Sequence, residues 1–264
     1  MEFLVCVKQV PDDSVEIHLN PETSTPDLSQ ADPEAGAFDT YAEELAVRFI
    51  EENEGSVTVV SVGTEDNKTC IKNSIAVGAS SGYVVADEGT DCLDSAQVAD
   101  LLAAAAAKIE EQEGKKFDII LCGKESTDAI GGQVGPLLAE KLNLPLVENA
   151  VEITSVDGGI SVKQETDTGF MMYEIATPAV VTISKPDSDP RYPTIRSKMA
   201  ARKAKIPTLS LSDLGITDLA SEAKISSLGF EEPKKRQAGI KINETEAEEA
   251  VKKAMDQMIA DKAL

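Results

Sequence analysis

Short apolar runs alternate with helix-period segments along most of this chain. Apolar runs are typical of buried strands, and apolar residues repeated every three or four positions are typical of amphipathic helices. The runs predict strands over Phe3–Val7, Ser56–Val62, Gly82–Ala86, Phe117–Cys122 and Ala179–Ile183. The periodic segments predict helices over Thr40–Glu51 and Asn67–Val77, a helix capped by Asp94 or Ser95 that continues through Glu111, and a helix opened by Gly131 and Gly132 that ends at Asn143. This alternation predicts an α/β fold with a doubly wound, mostly parallel sheet.

The pattern changes in the second half of the chain. Three short alternating segments surround the Asp157-Gly158-Gly159 turn and predict a small β-hairpin region, namely Ala150–Thr154, Ile160–Gln164 and Phe170–Ile175. Near the end, Glu244–Met258 is an isolated helix with too little core to fold alone. We therefore predict an α/β domain over residues 1–215 and an extended C-terminal arm over residues 216–264 that packs on another surface, with a flexible tail as the alternative.

The segment from Phe117 to Val147 has the order strand, glycine-bearing loop, helix. Gly131 and Gly132 permit backbone angles that branched residues avoid, and the first amides of the following helix have no partner within the helix. Such amides, together with the helix dipole, attract an anion. The sequence indicates that Lys124 is the one positive charge near this loop. The segment is neither a Walker loop nor a GxGxxG fingerprint, so it predicts a phosphate site without fixing the ligand.

Composition excludes several partners. The chain has 47 acidic and 25 basic residues and a net charge of −22, which argues against nucleic acid or an anionic membrane surface as partner. No stretch approaches the roughly 20 apolar residues of a membrane span, and the N-terminus has no basic leader. We therefore expect a cytoplasmic protein without membrane insertion.

Catalytic and metal motifs are not evident in the sequence. The four cysteines show no CxxC or Cys/His spacing, so we expect no metal site and reduced thiols. His18 is the single histidine and lies in a polar segment. We predict no catalytic residue, so any redox chemistry must come from a bound cofactor.

Several motifs together resemble the beta subunit of electron transfer flavoprotein. They are LVCVKQVPD (Leu4–Asp12), GAFDTYAEELAVR (Gly36–Arg48), SVG (Ser61–Gly63), CGKESTDAIGGQVG (Cys122–Gly135) and DPRYPTIRSKMAARKAKI (Asp189–Ile206). The resemblance extends to about Gly215 and implies a Rossmann-like domain that binds an adenine nucleotide. It also implies a heterodimer with an alpha subunit, against which the C-terminal arm would pack.

The resemblance implies a set of cofactor contacts. Adenosine would be held by residues from the first strand ends and the following helix start, namely Cys6, Lys8, Gly36, Ala37, Phe38, Asp39 and Val62. Phosphate would be held by the loop, namely Gly123, Lys124, Glu125, Ser126, Thr127, Asp128, Ala129, Ile130, Gly131, Gly132, Gln133 and Val134. Ser126, Thr127 and Gln133 could donate hydrogen bonds, whereas we expect the acidic Asp128 to face amides or a ribose hydroxyl.

Two branches of the family differ in the nucleotide held here. The VKQVPD opening and the Gln133–Pro136 segment are more similar to the bifurcating branch, which implies FAD in this site. In that branch, electrons from NADH go to a dehydrogenase and to a low-potential acceptor such as ferredoxin or flavodoxin. The alternative is a simple carrier with structural AMP that serves an acyl-CoA dehydrogenase-type enzyme. A nucleotide-binding signalling or hydrolase domain is the alternative from another class.

The segment 185–205 resembles the family's partner recognition loop, followed by a basic helix. Ile195 occupies the position of the aliphatic anchor, with Arg191 and Tyr192 beside it. An exposed aliphatic residue flanked by arginine and tyrosine is typical of an interface hot spot. We predict that Arg191, Tyr192 and Ile195 contact an acyl-CoA dehydrogenase-like or related dehydrogenase, with a solvated helix face as the alternative for the basic segment.

Overall fold

The computed structural model describes residues 1–87, 89–90, 93–217, 219, 223–234 and 238–263. The chain forms two compact units, one with Met1–Ile17 and Pro26–Leu228, the other with His18–Thr25 and Gly229–Leu264. The described residues contain no helix with the length and apolar character needed to cross a membrane.

The first unit contains all the strands and five of the helices among the described residues. The strands are β1 (Glu2–Cys6), β2 (Gln9–Pro11), β3 (Pro33–Ala35), β4 (Ser56–Gly63), β5 (Ser81–Ala86), β6 (Ile119–Gly123), β7 (Leu146–Val156), β8 (Gly159–Thr166), β9 (Gly169–Ala176), β10 (Ala179–Ile183) and β11 (Thr208–Leu209). The helices are α1 (Ala37–Glu52), α2 (Lys68–Val77), α3 (Ser95–Glu113), α4 (Val134–Leu142) and α5 (Ile195–Ala201), and a 3-10 turn, Glu65–Asn67, precedes α2.

Nine of these strands form one sheet in the order β11-β5-β4-β1-β6-β10-β7-β8-β9. The strands from β11 to β7 are parallel, and β8 and β9 extend the sheet antiparallel at one edge. The predicted α/β fold is confirmed. Because β10 pairs with both β6 and β7, the hairpin region is continuous with the main sheet.

Alternation along β1 shows how the sheet divides its core. Phe3 and Val5 pack on the face covered by α1 and α2. Leu4 and Cys6 pack on the opposite face, against residues of α3 and α4. Side chains in a strand point to opposite faces in turn, so a fully apolar strand indicates a sheet covered on both sides.

Two predicted boundaries were wrong in ways that affect the site. Helix α1 begins at Ala37 rather than Thr40, so Asp39 lies in its first turn. Helix α4 begins at Val134, and Gly131 and Gly132 therefore belong to the loop. Between β1 and α1, where no element was predicted, β2 and β3 pair as a small antiparallel sheet.

The second unit contains α6 (Ala247–Ala260), which the sequence placed at Glu244–Met258. No described residue of α6 is buried, although its apolar residues recur at helical spacing. Its predicted packing on another surface stays a prediction. Part of the predicted arm, residues 218, 220–222, 235–237 and 264, lies outside the described residues.

Candidate functional site

A cavity of about 190 Å³ lies at the carboxyl ends of β1, β4 and β6. In open parallel sheets this edge is where ligands bind. Most of the predicted cofactor contacts line it, namely Cys6, Lys8, Asp39, Val62, Gly123, Lys124, Glu125, Ser126, Ala129, Gly131, Gly132, Gln133 and Val134. The sheet thus gathers residues that are more than 100 positions apart in the sequence.

Six predicted contacts lie beside the cavity rather than on its wall, namely Gly36, Ala37, Phe38, Thr127, Asp128 and Ile130. The Phe38 ring lies 4.8 Å from the ammonium group of Lys124 and so holds that side chain at the rim. Ile130 has a positive φ of 51° and a side chain that is 68% exposed. A β-branched residue in the left-handed region is strained, so keeping Ile130 exposed in this conformation costs free energy.

Asp39 ties two strand ends together under the cavity. Its carboxylate accepts the amide of Lys8 at 2.8 Å and the amide of Gly123 at 3.0 Å. Burial raises the pKa of Asp39 to about 7, although these two hydrogen bonds lower it. Both carboxylate oxygens therefore bind the protein backbone, and Asp39 positions the loop.

Lys8 is a second positive charge at the loop, so the expectation that Lys124 is the only one was wrong. The Lys8 ammonium donates to both carboxylate oxygens of Asp128 at 2.7 Å and to Ser126 Oγ at 3.4 Å. Burial raises the pKa of Asp128, but the hydrogen bonds from Lys8 and Ser126 and the charge of Lys8 together outweigh burial and leave the pKa below its usual range. The prediction that Asp128 faces amides or ribose missed this ion pair, which links β1 to the loop across 120 residues.

The N-terminus of α4 differs from that of α3. Asp94 caps α3, as predicted, and accepts the amides of Ala96 and Gln97 at 2.9 Å. Within the described part of the chain, no side chain caps α4, whose N-cap residue is Gln133. Since Gln133 and Val134 both line the cavity, the uncapped amides of α4 can donate hydrogen bonds to an anion there.

Helix α3 supplies a wall that the sequence did not reveal. Leu93, Ser95, Val98 and Leu102 line the cavity opposite the glycine loop. A side chain added at Gly131 would come within 3.8 Å of Ser95 Oγ. Val98 and Leu102 are one helical turn apart, so the amphipathic pattern of α3 was the signal, but it cannot tell a core face from a ligand wall.

The 185–205 segment is held on α1 by Arg191. Its guanidinium donates to the buried carboxylate of Glu44 at 2.9 Å and to Glu51 at 2.6 and 2.9 Å. Burial raises the pKa of Glu44, but the hydrogen bonds from Arg191 and Arg48 and the charge of Arg191 together outweigh burial and hold the pKa below its usual range. Arg191 is therefore bound to α1 of the same chain. The sequence missed Glu44 as the anchor of the segment.

Tyr192 and Ile195 are presented to solvent, at 93% and 82% exposure. Ile195 is the first residue of α5, and the exposed Met199 lies one turn further along. The three side chains make an exposed apolar strip on a mostly acidic protein. Such a strip is typical of a protein interface.

Comparisons with known proteins show the family to which this chain is related. Residues 29–214 match the family described as electron transfer flavoprotein domain. The chain is 30% identical over 273 residues to the electron transfer flavoprotein subunit beta of Megasphaera elsdenii, with all of both chains covered. It is 33% identical over 249 residues to the subunit beta of Mus musculus, covering 93% of this chain and 94% of that protein. With the subunit beta of Mycobacterium bovis it shares 32% identity over 219 residues, covering 81% and 80%.

Proposed function

Since this chain belongs to the electron transfer flavoprotein family as a beta subunit, we propose that it binds FAD in the cavity beside α4. We further propose that it works with an alpha subunit in the cytoplasm. Electrons from NADH would pass through this complex to a dehydrogenase and to a low-potential acceptor such as ferredoxin or flavodoxin, by flavin-based bifurcation. Family membership favours this electron-carrier role over a signalling or hydrolase domain.

The uncapped N-terminus of α4 is the observation that carries the nucleotide proposal. The residues at its start, the glycines before it, Lys8 and Lys124 all line the cavity. These groups suit a diphosphate or phosphate. Val62, Val98 and Leu102 also line the cavity and give it an apolar surface that suits a base.

FAD would supply hydride acceptance and one-electron transfer when bound. The residues of this chain would bind, orient and shield it. Lys8 would move from Asp128 towards the phosphates, Asp39 would keep the loop at the end of β6, and α3 would exclude water from the base.

The size of the cavity favours a second candidate, the simple carrier with structural AMP. A cavity of about 190 Å³ is smaller than the roughly 300–1,000 Å³ that encloses a typical organic ligand. It would enclose a nucleoside monophosphate more completely than FAD. FAD would therefore need a further wall, which the alpha subunit would provide.

Identifying the nucleotide tests the proposal. The chain would be purified with its alpha subunit, and nucleotides released by acid would be identified by mass spectrometry and counted per heterodimer. We expect two FAD molecules. One FAD with one AMP would contradict bifurcation but keep the nucleotide site, whereas no adenine nucleotide beyond the alpha-subunit flavin would contradict the site itself.

Rapid mixing with NADH separates the two carrier roles. In the bifurcating role, NADH should bleach the flavin absorbance within the time of one turnover. In the simple carrier, NADH should leave the flavin oxidised, while a reduced dehydrogenase should still bleach it. Gly131→Val, which fills the cavity beside Ser95, is the control, since it should abolish NADH oxidation by loss of nucleotide from this chain.

A further inference from the structure

Cys6 and Cys122 lie side by side at the floor of the cavity. Cys6 ends β1 and pairs in register with Cys122 of the neighbouring parallel strand β6. Both side chains are on the same face of the sheet and belong to the same core cluster. Both are buried free thiols, and both line the cavity. Strand register alone therefore places two sulfur atoms next to each other, where a ligand in the cavity can reach them.

The surroundings of this pair favour thiols over thiolates. A hydrogen bond with Cys122 and burial raise the pKa of the Cys6 thiol, and the charge of Asp39 adds to the effect. A neutral, recessed thiol reacts slowly with peroxide or with a reagent that attacks one sulfur at a time. A reagent that binds both sulfurs gains instead from their proximity, because its second bond forms intramolecularly.

We propose that Cys6 and Cys122 form a dithiol site for soft, thiophilic groups of the trivalent arsenic class, and that filling this site excludes a nucleotide from the cavity. With an organic arsenic oxide, two As–S bonds form and two S–H bonds break. The oxide oxygen leaves with both protons as water. Arsenic stays trivalent, so no oxidant or reductant takes part.

The exclusion of nucleotide rests on the function proposed above, but the dithiol site does not. The organic group on arsenic would project from the floor between Val62 on β4 and Val98 on α3. These residues form the apolar wall assigned to the base. The arsenic compound and the nucleotide base would then occupy the same space, so binding of either should prevent binding of the other.

The test uses the full-length chain in complex with its alpha subunit, stripped of nucleotide and treated with phenylarsine oxide. Intact-mass spectrometry of this chain should show one adduct, with the mass of the reagent less one water. A dithiol such as dimercaptopropanol should reverse it, and a monothiol should not. The adduct should disappear in Cys6→Ala and in Cys122→Ala and remain in Cys70→Ala and Cys92→Ala. An adduct that survives Cys6→Ala and Cys122→Ala overturns the site.

A measurement on the wild-type chain avoids dependence on the folding of the cysteine variants. Dibromobimane becomes strongly fluorescent when it alkylates two neighbouring thiols, and peptide mapping should join the peptide of Cys6 to that of Cys122. Absence of this cross-link in stripped protein contradicts the dithiol site. Excess FAD or AMP should slow both reactions at least tenfold. Unchanged rates in the presence of bound nucleotide would contradict the exclusion, whereas failure of nucleotide to bind at all would instead count against the proposed function.

Discussion

The carboxylate of Asp39 occupies the space that a side chain would take at Gly123. Its Oδ1 accepts the Gly123 amide at 3.0 Å, and a Cβ atom at Gly123 would lie 2.4 Å from that oxygen. Glycine at the end of β6 therefore lets the first turn of α1 reach the sheet edge. The relationship fixes where the phosphate loop departs from the sheet.

Replacing Asp39 with asparagine should loosen this junction. An amide offers one acceptor oxygen, so either the Lys8 or the Gly123 amide loses its partner, at a cost of about 1–3 kcal/mol. Urea denaturation should show the loss of stability, and equilibrium dialysis should show weaker nucleotide binding. Asp118→Asn is the matched control, because Asp118 accepts one amide, that of Glu2 at 2.8 Å. Equal losses of binding in both variants would contradict the positioning role.

The buried carboxyl of Glu43 should make stability fall as pH rises. Burial raises its pKa to about 8, and among the described residues its Oε1 has no hydrogen-bond partner. Between the unfolded pKa near 4.3 and the folded value, the folded state binds more protons, so unfolding free energy drops by up to about 1.4 kcal/mol per pH unit.

Glu43→Gln should remove that part of the slope. The variant should gain stability relative to wild type as pH rises from 5 to 8, measured by urea denaturation at each pH. Glu52→Gln, at an exposed position of the same helix, should parallel wild type throughout. If the stability of Glu43→Gln also parallels that of wild type from pH 5 to 8, Glu43 is already ionised in the folded protein at pH 5.

Asp128→Asn should strengthen nucleotide binding. The substitution frees the Lys8 ammonium from its ion pair and removes an acidic group near the phosphates. A partly exposed pair contributes about 0.2–1 kcal/mol, so affinity for AMP should rise by up to about fivefold. Isothermal titration calorimetry measures this, with Lys8→Gln expected to weaken binding. Weaker binding in Asp128→Asn would show that Asp128 itself holds the ligand.

Two adjacent glycines should respond differently to substitution. Gly132 has a φ of +60°, and an added Cβ would meet only ordinary contact, 3.5 Å from the carbonyl oxygen of Lys124. Gly132→Ala should therefore cost about 1–2 kcal/mol through backbone strain. Gly114→Ala, at a φ of +67° in open space, should cost the same in thermal unfolding.

Gly131→Val should instead leave stability nearly unchanged and abolish nucleotide retention, because its side chain would enter the cavity towards Ser95. Nucleotide content after gel filtration checks this result. Full occupancy in Gly131→Val would refute the placement of the ligand between the loop and α3. Loss of nucleotide in Gly114→Ala would show that lower stability alone releases the nucleotide.

In the 185–205 segment, a role in docking and a role in folding can be tested with separate substitutions. Ile195→Ala removes an exposed side chain, so stability should change by less than about 0.5 kcal/mol, while electron transfer to the dehydrogenase should fall and NADH oxidation should persist. Phe170→Ala, at an exposed position of β9, is the control. Equal loss of both activities in Ile195→Ala would contradict a docking role.

Arg191→Met should also weaken electron transfer to the dehydrogenase, because it loosens the fold of residues 185–205. It leaves the buried Glu44 with Arg48 alone and should cost less than the roughly 3–5 kcal/mol of a buried charge left with no partner. Protease digestion should cleave the segment faster than in Arg196→Met, an exposed neighbour on α5. An unchanged digestion rate would show that Arg191 does not hold the segment.

Much of the fold could be predicted because local pattern and tertiary role coincide there. Phe3 to Cys6 and Ile119 to Cys122 are apolar throughout, which a strand covered on both faces requires. The helix over Asn67–Val77 was predicted to end at Val77, where α2 does end. Of the two caps that the sequence allowed for α3, Asp94 and Ser95, the structure has Asp94. The start of α1 was missed because Gly36 gives no side-chain cap to mark it.

The sequence by itself determined the alternation of strands and helices that builds the parallel sheet, and the resemblance to a known family. That the loop before α4 binds phosphate stays a prediction. Tertiary structure decided which distant residues meet. The pairing of Lys8 with Asp128, of Arg191 with Glu44 and of Cys6 with Cys122 depends on strand order and register, which place residues more than 100 positions apart in contact. Local propensity carries no information about such contacts, because they form only when the whole sheet closes its core.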